Sequence, residues 1–221
     1  MLHDVLMWAI RFPLLFRGDA MRQSSLGVLA VTGPLLLLVL ALKVRSGMRV
    51  GAAALWAILG VYASWAAGLL FEPSARAAGP LLGADVGRWI NLVPFATIAA
   101  QVRSGSGSAL VQLIGNVGLL LPLGLIGPVV MPSLRRMRRL ALVALSGSVA
   151  IEIVQLIGTS LRLMNRSVDI DDVILNVAGA LLGWLLWRAI ASLWVRVRAR
   201  QSRTSRTRDL PSSDERFDPA Q

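Results

Sequence analysis

The chain reads as an all-α integral membrane protein, and three observations predict it. Of its 221 residues, 55% are hydrophobic and only 16% are charged, and the mean hydropathy is +0.65. A soluble domain of this length carries more charge and fewer long apolar runs. Several stretches approach or exceed the roughly 20 mostly apolar residues that a spanning helix needs. Finally, the basic residues gather in alternate loops between those stretches, which is the pattern that orients spanning helices.

Five spans follow in order. The first runs from about Leu26 to Leu42, the second from Val50 to Phe71 and the third from Ala109 to Met131. The fourth covers Leu140 to Gly158 and the fifth Val173 to Val195. Ahead of them, residues 1–25 contain LHDVLMWAIRFPLLF, an apolar run too short to span and interrupted by Arg11 and Pro13. It predicts an interfacial helix with Trp8 at headgroup level. Residues 26–197 form the transmembrane domain. Residues 198–221 turn polar and hold Pro211 and Pro219, which predicts a disordered basic tail with no core to bury. Ser104-Gly-Ser-Gly-Ser108 reads as a flexible linker.

Loop charge sets the orientation. The turn from Lys43 to Arg49 carries three basic residues, and that between spans three and four carries Arg135, Arg136, Arg138 and Arg139. The tail carries Arg196, Arg198, Arg200, Arg203, Arg206 and Arg208. In contrast, the loop from Glu72 to Ser108 is nearly balanced, and that from Thr159 to Asp172 has more acids than bases. Five spans put all three basic segments on one side. The positive-inside rule then predicts a multi-pass plasma-membrane protein with an extracytoplasmic amino terminus and a cytoplasmic carboxyl terminus.

Composition also excludes functions. The chain has no cysteine, so disulfides, thiolate nucleophiles and thiolate metal sites are absent. Its one histidine, His3, lies at the amino terminus, which rules out most Ser-His-Asp and histidine-dependent zinc designs. Any chemistry falls to carboxylates, arginine, amides or a hard metal ion. The net charge of +11 sits in short loops and a tail rather than on a folded patch. It points to anionic lipid rather than nucleic acid.

Against this apolar background, Ile151–Gly183 is anomalous. It carries Glu152, Gln155, Arg166, Asp169, Asp171, Asp172 and Asn176 within or beside two spans. An acid at mid-membrane costs roughly 2.5–3.5 kcal/mol on insertion scales, so such residues are rare and functional by default. Glu152 and Gln155 share a helix face, as do Asp172 and Asn176. Asn116 lies about two turns inside the outer end of span three. An antiparallel pairing of spans four and five brings Glu152 near Asn176, with Arg166 and the three aspartates as a rim. Asn91, in the segment Trp89–Phe95 broken by Pro94, either aims at this cluster or sits in an ordinary interfacial loop.

The candidate ligand-binding set is therefore Asn91, Asn116, Glu152, Gln155, Arg166, Asp169, Asp172 and Asn176. Arginine binds carboxylate or phosphate bidentately. Asp169, Asp171 and Asp172 are candidate ligands for Mg²⁺ or Ca²⁺, and Glu152 and Asp172 are candidate catalytic groups. The alternatives stand beside these: Glu152 with Arg166 as a register-fixing ion pair, Asp169 and Asp171 as caps of the fifth span, and Asn116 as interhelical glue. The spacing of Gly179 and Gly183 points to close helix packing.

These residues together resemble the VanZ-like family of small bacterial membrane proteins. The resemblance rests on Asn91-Leu-Val-Pro94-Phe95, Gly115-Asn116 with Leu121-Pro122-Leu123-Gly124, Glu152 with Gln155, and Arg166, Asp169, Asp171-Asp172, Asn176 and Gly179. It covers residues 91–183. The family is named for a protein that lowers susceptibility to the glycopeptide teicoplanin, so the resemblance implies a role at the cell envelope or its lipid-linked precursors. Three functions compete. The first is a binding protein whose outward-facing polar pocket takes a lipid-linked or cell-wall precursor headgroup. The second is a metal-assisted hydrolase or transferase acting on lipid-linked phosphates. The third, a transporter, is a poor fit to five spans without a visible repeat.

Overall fold

The computed structural model describes residues 19–71, 89–161 and 163–208. Six helices occur among them: α1 (Asp19–Arg45), α2 (Val50–Leu70), α3 (Ala96–Ser104), α4 (Gly107–Val130), α5 (Met137–Ser160) and α6 (Ile170–Arg208). A 3-10 turn, Pro132–Arg135, joins α4 to α5. Two short strands, β1 (Ile90–Asn91) and β2 (Val168–Asp169), pair in parallel, Ile90 opposite Val168 and Asn91 opposite Asp169.

Among the described residues, four helical segments are long and apolar enough to cross a membrane: Val50–Leu70, Gly107–Val130, Met137–Ser160 and Ile170–Ala199. The fold is an all-α membrane protein, as expected. The run foreseen as the first span, Leu26–Leu42, is helical within α1 but is not one of those four. The interfacial helix expected around Trp8 lies outside the described residues. The expected break after Val197 does not occur: α6 continues to Arg208. Arginine has good helix propensity, and neither Gly nor Pro intervenes before Pro211. The rest of the foreseen tail, 209–221, is outside the described residues.

Local chemistry sets the helix ends. Gly47, at φ 101°, closes α1: Met48 N–H donates to Lys43 O at 2.9 Å and Gly47 N–H to Val44 O at 3.0 Å, a glycine-dependent helix stop. The Ser104–Ser108 stretch is a double cap rather than a flexible linker. Gly105 ends α3 at φ 59°, and the Ser106 side chain starts α4 by accepting from Ala109 N–H at 3.2 Å.

Packing follows small residues. In the α1–α2 hairpin Gly60 faces Leu36, and the Thr32 and Ser64 hydroxyls meet at 2.7 Å. α2 runs antiparallel to α4, joined where Tyr62 Oη donates to Gly118 O at 2.8 Å. Helices α4 and α6 run parallel and in backbone contact. A Cβ at Gly179 would strike the Val117 carbonyl oxygen, one at Gly183 that of Leu121, and one at Gly124 that of Ala180. This is the close approach that small residues permit between helices in lipid, and the expectation for Gly179 and Gly183 holds.

The two ends of the bundle differ in chemistry. At the arginine-rich end Leu134, Leu140 and Trp184 are buried, with Leu123, Met131 and Trp187 against them. Trp184 Nε1–H donates to Arg135 O at 3.2 Å, and the Arg188 guanidinium lies 5.3 Å from the Trp184 ring centroid. At the acid-rich end the buried groups are polar: Ser148, Glu152, Gln155, Thr159, Asp169, Asp171 and Asn176. Large apolar side chains such as Leu37, Leu142, Ile153 and Leu193 face outward, as lipid requires.

Candidate functional site

The site is built on one face of α5. Ser148, Glu152, Gln155 and Thr159 are all buried and recur at spacings of four, three and four, so they line up along a single stripe. Helix α6 runs antiparallel along it and presents Asp172 and Asn176. Helix α4 adds Gln112 and Asn116, and the loop before α6 adds Asn165, Arg166 and Ser167. With Leu70, Leu119 and Ile151, and with Glu152 and Gln155 from the α5 stripe, the groups of α4, α6 and the loop enclose a cavity of about 210 Å³.

Most of the polar contacts hold the walls in place. Glu152 Oε2 accepts from Asp169 N–H at 3.1 Å. Gln155 Nε2 donates to Leu70 O, at the end of α2, at 3.3 Å. Asn116 Nδ2 donates to Asp172 Oδ1, and Asn176 Nδ2 to Ser148 Oγ at 2.8 Å. Thr159 Oγ1 both donates to Arg166 O at 2.9 Å and accepts from Arg166 N–H at 3.1 Å, which anchors the loop bearing Arg166.

Two groups keep binding capacity in hand. Asn176 is 2% exposed, and its Oδ1 is buried without a hydrogen-bond partner. Such an acceptor costs about 1–3 kcal/mol unless something donates to it. Arg166 is exposed at the edge of the cavity, and its side chain donates to the Leu69 carbonyl at 3.4 Å. Among the described residues it makes no direct ion pair with Glu152 or an aspartate, although its charge acts through space on Glu152 and Asp172. A guanidinium beside a cavity with free acceptor and amide groups can take an anionic, hydrogen-bonding headgroup.

Of the eight sequence-predicted ligand residues, six line the cavity: Asn116, Glu152, Gln155, Arg166, Asp172 and Asn176. Asn91 and Asp169 sit beside it as scaffold. Asn91 Nδ2 donates to Asp169 Oδ1 at 3.2 Å and to Thr97 Oγ1 at 2.8 Å, and its Oδ1 accepts from Val93 N–H at 3.1 Å. Asp169 Oδ1 also accepts from Asp171 N–H at 2.9 Å, which caps α6 in the foreseen manner. Asp171 serves a different helix. Its carboxylate accepts from Phe95 N–H at 2.5 Å and from Ile98 N–H at 3.0 Å, capping α3 where Phe95 has φ 66°.

The three aspartates therefore point to different partners rather than to one point. Among the described residues no three of His, Asp and Glu are grouped as a metal set. Glu152 and Asp172 are the two carboxylates that line the cavity.

Some contributors escape the sequence reading. Gln112 lies four positions before Asn116, and Ser148 four before Glu152; helical spacing from an identified polar residue finds both. Asn165 and Ser167 carry no such signal, since any polar loop looks alike in sequence.

A family model described as VanZ/LLP1 matches residues 55–193. The match takes in most of α2, which the motif resemblance over 91–183 leaves out, and it includes every residue that lines the polar cavity. No curated protein and no solved structure matches the chain. With more than half of its length matched, and with the Asn116, Glu152, Arg166 and Asn176 motifs gathered around one cavity, the chain belongs to the VanZ/LLP1 family.

Proposed function

We propose that the polar cavity binds the anionic headgroup of an envelope lipid or lipid-linked cell-wall precursor, drawn from the extracytoplasmic leaflet. The observation that carries this reading is Arg166, in no direct ion pair among the described residues, at the edge of a cavity lined with amides. Arg166 takes phosphate, while Asn116, Gln155 and the unpartnered Asn176 Oδ1 orient sugar, hydroxyl or amide groups. Asn91 and Asp169 act behind the wall by fixing the loop that closes it. With α1 taken as the first of five spans, loop charge supports an extracytoplasmic amino terminus, a cytoplasmic carboxyl terminus and a cavity facing outward. A part in glycopeptide tolerance is tested by deletion and complementation with Arg166→Ala.

The direct test is binding of phosphatidylglycerol and of lipid-linked precursors to the purified protein. Arg166→Ala abolishes binding and Arg166→Lys restores part of it, because a lysine supplies charge without the bidentate fork. Neither variant lowers thermal stability beyond about 0.5 kcal/mol, as expected of an exposed side chain with one long contact. Undiminished binding in Arg166→Ala removes the reading.

A second reading is favoured by Glu152 and Asp172 facing one cavity. A hydrolase or transferase acting on lipid-linked phosphate would use Glu152 as general base and Asp172 toward Mg²⁺ or Ca²⁺. Phosphate release lost in both Glu152→Gln and Asp172→Asn supports it, and absence of turnover with either ion counts against it.

A further inference from the structure

A second cavity, about 500 Å³, lies against the polar one. Its walls come from α1, α2, α4 and α5, and Leu70, Leu119 and Ile151 line both cavities. The two are therefore adjacent, with these three side chains as an apolar collar between them. Below the collar the lining is apolar, from Leu59 and the small side chains of Ala63 and Ala67 on α2 to Leu123 and Met131. The phenol here, Tyr62, has its hydroxyl committed to Gly118 O. From Leu70 down to Trp56 the cleft extends about 21 Å along α2, at 1.5 Å per residue. That is most of the distance across a hydrocarbon core of about 30 Å.

We infer that this cleft takes the hydrocarbon chain of the same lipid whose headgroup enters the polar cavity, so that the two form one amphiphile site. The inference rests on the headgroup reading above and adds the part of the ligand that it leaves undescribed. Polar cavity and apolar cleft meet end to end in the order that a lipid presents its parts. The polar cavity alone falls short of the about 300–1,000 Å³ usual for small-molecule pockets, while the cleft falls within it. A soluble headgroup would have no use for the cleft, and a bare hydrocarbon would leave the buried Asn176 Oδ1 unpartnered.

Ala63 is exposed to the cleft, so a larger side chain there fills the space without displacing a packed neighbour. The full-length protein, in detergent, is titrated with dioleoyl-phosphatidylglycerol and separately with glycerol phosphate. Ala63→Phe weakens the lipid by about tenfold or more, the loss of a few buried methylenes, and changes glycerol phosphate by less than about twofold. Arg166→Ala weakens both. Leu120→Trp, from the facing wall, repeats the measurement should Ala63→Phe fail to fold. Full lipid affinity in both cleft-filling variants overturns the chain assignment and leaves the headgroup reading standing. Equal loss of both probes in both variants overturns it too. A wild-type protein that binds neither probe overturns the headgroup reading, and this inference with it.

Discussion

Replacing Asp171 by alanine separates scaffold from site. Its side chain is fully buried, at 0% exposure, and accepts two backbone N–H bonds, from Phe95 and Ile98. A hydrogen bond to a charged acceptor contributes about 1.5–3 kcal/mol, so losing both costs about 3–6 kcal/mol. At about 2–4 °C per kcal/mol for a chain of this size, the melting temperature falls by about 6–24 °C. Asn at this position keeps one acceptor oxygen and turns an amide toward the other N–H, so Asp171→Asn loses at least half as much. The assays are thermal unfolding in detergent and hydrogen exchange of residues 95–98, whose amide protection falls first as α3 loses its cap. Asp172→Asn, which leaves the α3 cap untouched, keeps protection at 95–98. A loss below about 1 kcal/mol in Asp171→Ala, against the range for surface changes, or unchanged exchange at Phe95 and Ile98, would refute the cap. A practical corollary follows: Asp171 variants lose activity through folding and cannot by themselves identify a metal ligand.

Three further outcomes are expected. Gly179→Ala forces α6 off the Val117 carbonyl and destabilises by about 1–3 kcal/mol in SDS unfolding. Gly147→Ala, with open space around it, is neutral or slightly stabilising, and equal effects at the two sites would contradict the close packing. Gly105→Ala puts a Cβ on a residue at φ 59° and costs about 1–2 kcal/mol in thermal unfolding; no change would argue against the left-handed cap. Because the chain has no cysteine, Ser167→Cys and Ser46→Cys are clean topology probes. An impermeant maleimide labels the first in intact cells and not the second, and the reverse pattern overturns the orientation.

The sequence makes Glu152, Gln155 and Asn176 legible because an acid or amide in an apolar helix stands out, and helical spacing says which of them share a face. Asp172 and Asn116 follow from the same spacing and depth. Asp171 resists such reading. Its partners, Phe95 and Ile98, are 76 and 73 residues away, and only tertiary structure decides whether an acid caps its own helix or a distant one. The β1–β2 pairing is equally hidden, since two residues carry no alternation to detect. The glycines of Ser104–Ser108 suggest flexibility by composition, whereas in place they hold one helix end and leave the next helix to Ser106. The apolar cleft is invisible for another reason: Ala63 and Ala67 look like ordinary span residues until α4 stands opposite them.

The crossed contacts at the acid-rich end bear on how the chain is made. Phe95 and Ile98 are capped by Asp171, β1 is completed by β2, and Asn91 waits for Asp169. Synthesis proceeds from the amino terminus, so the first turn of α3 leaves the ribosome more than seventy residues before its cap. Throughout insertion of α4 and α5 it has no Asp171 to hold its first turn. The acid-rich end of the bundle can therefore close only when α6 enters the membrane. A nascent chain halted before Asp169 would carry most of its spans but no assembled roof, which makes α6 the step that commits the membrane-inserted chain to its mature form.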